Sequence, residues 1–173
     1  MSSATRDKNV LKPEERFGEL VGVAIMILII AFFVYHQVSN TGFFTQRFGP
    51  LEAFLFYAAG VAGMAAPILR AVTGSRVRAR WFDLGSSLLW AVASIWLLIV
   101  FPFNFAHVGT PLPAFLQFTV SWVSNYVGRI ILVLSALGGI ITTIYYAVRI
   151  ALDRGKSPKA RSVEPRVEQS ANL

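Results

Sequence analysis

Four stretches of the chain stay apolar long enough to cross a bilayer, and polar or turn-forming residues separate them. The first, residues 18–38, reads GELVGVAIMILIIAFFVYHQV. At 1.5 Å per residue, about 20 apolar residues cover a hydrocarbon core of about 30 Å. Gly18 and Gly22 form a GxxxG step that permits close approach of a second helix. The second span, 51–72, follows Pro50, which suits the first helical position, and Glu52, which suits the positive end of the helix dipole. Ala58, Ala62 and Ala66 recur every four residues on one face, predicted to lie against another helix, and Pro67 predicts a bend. The third span, 82–103, carries Asp83 in its predicted first turn and a small, weakly polar face of Ser87, Ala91 and Ser94.

Residues 112–150 are too many for one crossing. Gln117, Ser121, Ser124 and Gly128 recur at helical spacing, with Leu112, Phe115, Leu116, Trp122 and Val123 mostly on the other side. The pattern predicts an outer helix lying in the interface over 112–125, then a fourth span over 126–149. One continuous long helix projecting outward is the competing arrangement. A fifth crossing would place the basic C-terminal tail outside, against the charge bias. The expected fold is therefore an all-α integral membrane protein with four transmembrane helices, both termini cytoplasmic, and an outer interfacial helix. Residues 1–17 form a cytoplasmic tail, 18–150 the membrane domain and 151–173 a basic, disordered tail.

Charge fixes the orientation. Arg70, Arg76, Arg78 and Arg80 lie between two apolar runs with no acid among them, and basic residues are retained on the cytoplasmic side. Under this topology 14 Lys and Arg fall inside, against Arg47 and Arg129 outside. The formal net charge of +7 thus belongs to the tails and one loop, which points to anionic lipid and away from nucleic acid. With 55% hydrophobic residues in 173, lipid must cover much of the surface. There is no cysteine, hence no disulfide and no thiolate chemistry. The segments PLEAFL (from Pro50) and PLPAFL (from Pro111) match at five of six positions. The likeness ends there, which favours a shared role, proline opening an outer helix, over a duplicated hairpin.

Few side chains suggest chemistry. His36 and His107 both fall at the outer face, which raises a metal, haem or proton-relay site there; the plainer expectation is two interfacial histidines that never meet. Glu19, Glu52 and Asp83 are each expected in a first helical turn, where an acid is favoured without any function. Arg129 would sit at the wrong end of its helix for a cation, so it either reaches lipid phosphate or meets a specific partner, an anionic ligand or Glu52, the acid for which Arg47 is the second candidate. The phenylalanines are the strongest asymmetry, since 12 of 14 fall in the outer half or its loops. Phe43, Phe44, Phe48, Phe105, Phe115, Phe118 and Trp122 are expected to dock an apolar partner.

No phosphate loop, nucleophile elbow, zinc pattern or dinucleotide fingerprint is present in the sequence. The expectation is a non-catalytic accessory or scaffolding subunit of a larger energy-converting or transport assembly in a prokaryotic plasma membrane, with no cofactor. Its partners would be membrane lipids and either other membrane subunits or further copies of itself. A self-assembling channel, lined weakly by Ser87, Ser94, Ser135, Thr142 and Thr143, is one alternative. A binder of an apolar cofactor or quinone at the outer face is another.

Overall fold

The computed structural model describes residues 10–156, with side chains to residue 153. Four helices in it are long and apolar enough to cross a membrane, and no β-strand occurs among the described residues. They are α1 (Pro13–Val38), α2 (Pro50–Thr73), α3 (Arg76–Val100) and α4 (Asn125–Lys156). α1 begins at Pro13, five residues before the predicted span, because Pro13 fits the first position and Glu15 accepts from the Lys12 amide. α2 runs on through Pro67 and stops at Gly74, whose φ of 64° supplies the left-handed cap that a side chain would resist. The fourth helix continues six residues beyond position 150, and the expected disorder of the tail concerns residues 157–173, outside the described residues.

The predicted outer helix is mostly not helical. Residues 112–124 hold a single helical turn, Ala114–Gln117, followed by linked turns. Thr119 Oγ1 donates to Leu116 O, Ser121 Oγ to Phe118 O and Trp122 Nε1 to Thr119 O. Such local side-chain bonds compete with a continuing helix, and Thr119, Val120 and Val123 are β-branched and favour it weakly. The question of one long helix or two is answered by a fresh start at Asn125.

Packing follows the order of the chain. α1 packs on α2, α2 on α3 and α3 on α4, whereas α1 and α4 share no backbone contact. The tightest crossing is α3 on α4. A Cβ added at Gly139 would stand 2.9 Å from the Ala91 backbone, and Ser87, one turn along, accepts a 3.0 Å hydrogen bond from Thr143. Ala66, Ser87 and Ala91 are buried and Ala58 and Ala62 half-buried. Gly18 and Gly22 meet nothing within 4 Å, so their step is unused inside this chain.

This geometry separates two adjacent glycines. Gly138 also meets nothing within 4 Å. Gly138→Ala should raise stability by about 0.5–1 kcal/mol through helix propensity. Gly139→Ala should lower it by about 1–3 kcal/mol through overpacking, as read by reversible unfolding in detergent. Equal effects at the two positions would contradict the close crossing.

Candidate functional site

The helix bundle is closed differently at its two ends. At the end carrying the arginine loop, Arg70 in the last turn of α2 reaches both neighbours. Its Nε and Nη2 donate to the two oxygens of Glu19 on α1 (2.7 and 3.0 Å), and its Nη1 to both oxygens of Asp83 on α3 (2.8 Å each). All three side chains are largely buried, Arg70 at 17% exposure. The early starts of α1 and α3 explain this use of the acids. Glu19 and Asp83 stand in the second turns of their helices, beyond the reach of the dipole that the sequence assigned to them, and a shared cation stabilises them instead.

Other arginines seal the same end. Arg16 donates to the carbonyls of Ala71 and Val72 at 2.7 and 2.9 Å, covering the end of α2 that lacks helical donors. Arg76 pairs with Glu15 at 2.6 Å, and Arg80 pairs with Asp153 of α4. Leu11 is buried, and its amide donates to Gly74 O at 2.9 Å. Of the four arginines read as topology signals, Arg70, Arg76 and Arg80 tie helices together, while Arg78 is exposed. Arg70, Arg76 and Arg80 with their partners Glu15, Glu19 and Asp83 border, together with Tyr145, Tyr146 and Arg149, a polar cavity of about 460 Å³.

The opposite end is a self-contained aromatic cap, which corrects the docking expectation for four of its residues. Phe43, at 1% exposure, is among the most buried side chains, and Phe44, Phe48 and Phe105 pack around it and Phe103. Phe43 lies 5.0 Å from Phe44, 5.3 Å from Phe105 and 5.6 Å from Phe103 between ring centres, and Phe44 stacks on Phe48 at 3.9 Å. The two loops also satisfy each other's backbone. Thr45 N donates to Pro102 O at 2.9 Å, Asn104 N to Phe43 O at 2.7 Å, and Phe105 N to Asn125 Oδ1 at 2.8 Å. The rings and amides that were expected to need a foreign surface find one within the chain. Phe115, Phe118 and Trp122 remain exposed at 71%, 71% and 66%.

His36 belongs to this cap and is buried within the protein. It is 1% exposed, and its imidazole lies between Thr41 Oγ1 and the Val108 carbonyl, the latter 3.2 Å from Nε2. A donating Nε2–H and an accepting Nδ1 satisfy both partners, so His36 latches one loop to the other. His107 is exposed, against Gly42, whose φ of 87° brings the backbone close to the ring. Among the described residues no group of three or more His, Asp or Glu could hold a metal ion.

Glu52 and Arg129 are not brought together. Glu52 Oε1 accepts from Trp96 Nε1 at 2.9 Å and Oε2 from the Gly49 amide at 3.0 Å, a capping role at the start of α2. The Arg129 guanidinium lies 4.0 Å from the centre of the Phe101 ring. An indole N–H and a backbone amide already stabilise the carboxylate, and the ring's negative face the cation.

Because α1 and α4 stand apart, a cleft runs between them with α2 and α3 as its floor. Near the cap it holds an apolar chamber of about 270 Å³, walled by Ile30, Phe33, Phe43, Phe103 and Leu132. Towards the arginine end follows a chamber of about 390 Å³ bordered by Asp83, Ser86, Ser87, Thr142 and Tyr146. Met26, Trp90 and Ser135 border both chambers and form the neck between them. Of the residues expected to line a pore, Ser87, Ser94, Ser135 and Thr142 all border this cleft, Ser87 and Ser94 as buried residues of its floor. The cleft left no signal in the sequence, because the hydrophobic periodicity of α1 and α4 does not say whether the two helices meet.

No protein-family model matches the chain, and no curated protein or solved structure is similar to it.

Two substitutions test the two ends. Arg70→Gln leaves two half-buried carboxylates without their cation and should cost about 3–5 kcal/mol, whereas Arg78→Gln on the exposed surface should stay within about 0.5 kcal/mol. Phe43→Ala should cost about 3–5 kcal/mol, and Phe115→Ala less than about 1 kcal/mol. Equilibrium unfolding in detergent reads all four. A costly Phe115 and a neutral Phe43 would invert the assignment of core and surface.

Proposed function

We propose that this protein is a non-catalytic accessory or scaffolding subunit of a larger membrane assembly. In this reading the arginine end and both termini face the cytoplasm of a prokaryotic cell, and the aromatic cap faces outward. The basic residues support the orientation, because Arg70, Arg76, Arg78 and Arg80 share one end with Arg16 and Arg149.

The observation that carries the docking reading is Trp122. A tryptophan in a membrane belt ordinarily turns its indole N–H towards headgroups and water. Trp122 donates that N–H to Thr119 O at 2.7 Å and presents its ring outward at 66% exposure, beside Phe115 and Phe118. Its polar edge is already used, so what it offers is apolar. The surrounding segment is uncharged as well, since no Lys, Arg, Asp or Glu occurs from residue 84 to 128. An apolar surface of a neighbouring membrane subunit matches that chemistry better than solvated headgroups do. The proposed docking surface is thereby reduced to Phe115, Phe118 and Trp122, on the segment between the cap and α4.

Replacing these three residues together by serine should leave insertion and unfolding stability within about 1 kcal/mol of the parent, since they are surface positions. The triple variant should lose the foreign subunits that co-purify with the parent in mild detergent. Retention of every partner, or purification of the parent as a homo-oligomer alone, would refute the docking reading. For orientation, single cysteines at Ser75 and Thr110 should differ in intact cells: an impermeant thiol reagent should label position 110 only. Labelling at 75 alone would mean the chain is inverted.

A further inference from the structure

The cleft between α1 and α4 contains polar groups for which the bundle supplies no partner. Among the described residues, Trp90 Nε1, Ser135 Oγ and Thr142 Oγ1 have no hydrogen-bond partner within the chain; none of them is a sealed, buried atom, so all three are accessible to a molecule from outside the bundle. Their neighbours differ: Ser86 and Ser87 donate to carbonyls of their own helix, and Thr143 Oγ1 has both Ser87 Oγ and Gly139 O within hydrogen-bond distance. Trp90 lies seven residues, about 10 Å, along α3 from Asp83, well inside an apolar span. At that depth a donor facing acyl chains is costly, because hydrocarbon offers no acceptor. Trp90 and Ser135 stand at the neck, and Thr142 borders the chamber on its arginine side.

We propose that this cleft binds a neutral amphiphile, whose carbonyl head accepts hydrogen bonds from Trp90 and Ser135 at the neck, with a second oxygen of the head reaching Thr142 two turns along α4, about 10 Å from Ser135, and whose apolar chain lies among the rings of the upper chamber. The inference is independent of the docking surface at Phe115, Phe118 and Trp122. Three features select this chemistry. The Trp90 indole can only donate and both hydroxyls can donate, so an oxygen acceptor is the one kind of group that all three can meet. An anionic head would meet the Asp83 carboxylate, which borders the same chamber, and a cationic one would have to displace Arg70 from both of that carboxylate's oxygens. Beyond the neck, Ile30, Phe33, Phe43, Phe103 and Leu132 offer apolar wall suited to an alkyl or isoprenoid chain. The gap between α1 and α4 gives such a molecule a lateral route from the membrane. A quinone and a glycerol ester of a fatty acid both carry the required head and tail.

The full chain, purified in a maltoside detergent, is titrated with a decyl-substituted benzoquinone, with 1-decanoylglycerol and with decane, and the thermal unfolding midpoint is followed. At least one carbonyl probe should raise the midpoint saturably, and decane should not. A response to the quinone alone identifies a quinone site, to the ester alone a lipid site, and to both a site that accepts either. Trp90→Phe, Ser135→Ala and Thr142→Val combined should weaken the apparent affinity by about tenfold or more. Ser135→Leu, which plugs the neck, should abolish the response while its midpoint without probe stays near the parent's. If the triple variant fails to fold, Ser135→Leu decides alone. No shift with either carbonyl probe, an equal shift with decane, or an undiminished response in the folded variants would overturn the proposal.

Discussion

The guanidinium of Arg70 joins three of the four long helices at once. It is anchored on α2 and holds a carboxylate of α1 and another of α3, each through two hydrogen bonds. Among the described residues α1 packs against no other long helix than α2, and of its two ion pairs with the rest of the bundle, Glu15–Arg76 and Glu19–Arg70, the Glu19 arm of this bridge is the more buried. The constraint behind it is general. Near a hydrocarbon core a charge must be paired or must reach water, and a two-armed pairing also fixes the relative depth of three helices. A buried pair of this kind is weak evidence of net stability, but removal of one member leaves charges without compensation. Register, more than energy, is what Arg70 contributes.

The aromatic cap obeys the same constraint with different chemistry. Loops at a membrane face carry amides that lipid cannot satisfy, and here the two loops pair with each other across Phe44 and Phe103. His36 is the polar link that survives burial, because both its ring nitrogens have partners. Phe101 stands in the left-handed region at φ 43°, unusual for a residue with a side chain, and burial of its ring together with the Arg129 contact offsets that cost. With both ends closed by internal contacts, the middle of the bundle between α1 and α4 is left open, and that is where the cleft lies.

The number and approximate place of the long helices were legible, because a run of about 20 apolar residues has few alternatives. Boundaries were less so. Pro13 and Arg76 start their helices well before the apolar runs begin, which moved Glu19 and Asp83 out of the first turn. Their pairing with Arg70 carried a signal in the sequence: one cation and two anions flank apolar runs at the same end of the bundle. Crowding of phenylalanine at the other end was equally visible. Whether the rings cover one another or a partner depended on backbone turns at Asn40, Gly42 and Phe101, which composition does not encode. The segment 112–124 misled for a local reason, since its apolar spacing is helical while its Thr, Ser and Trp side chains bond to their own carbonyls.

A double-mutant cycle on Glu19→Gln and Asp83→Asn, read by reversible unfolding in lipid bicelles, tests the shared guanidinium most directly. The two carboxylates are held by one cation, so their effects should be non-additive, with a coupling above about 0.5 kcal/mol. Changes that add within about 0.3 kcal/mol would mean that the acids act separately and that Arg70 does not join three helices.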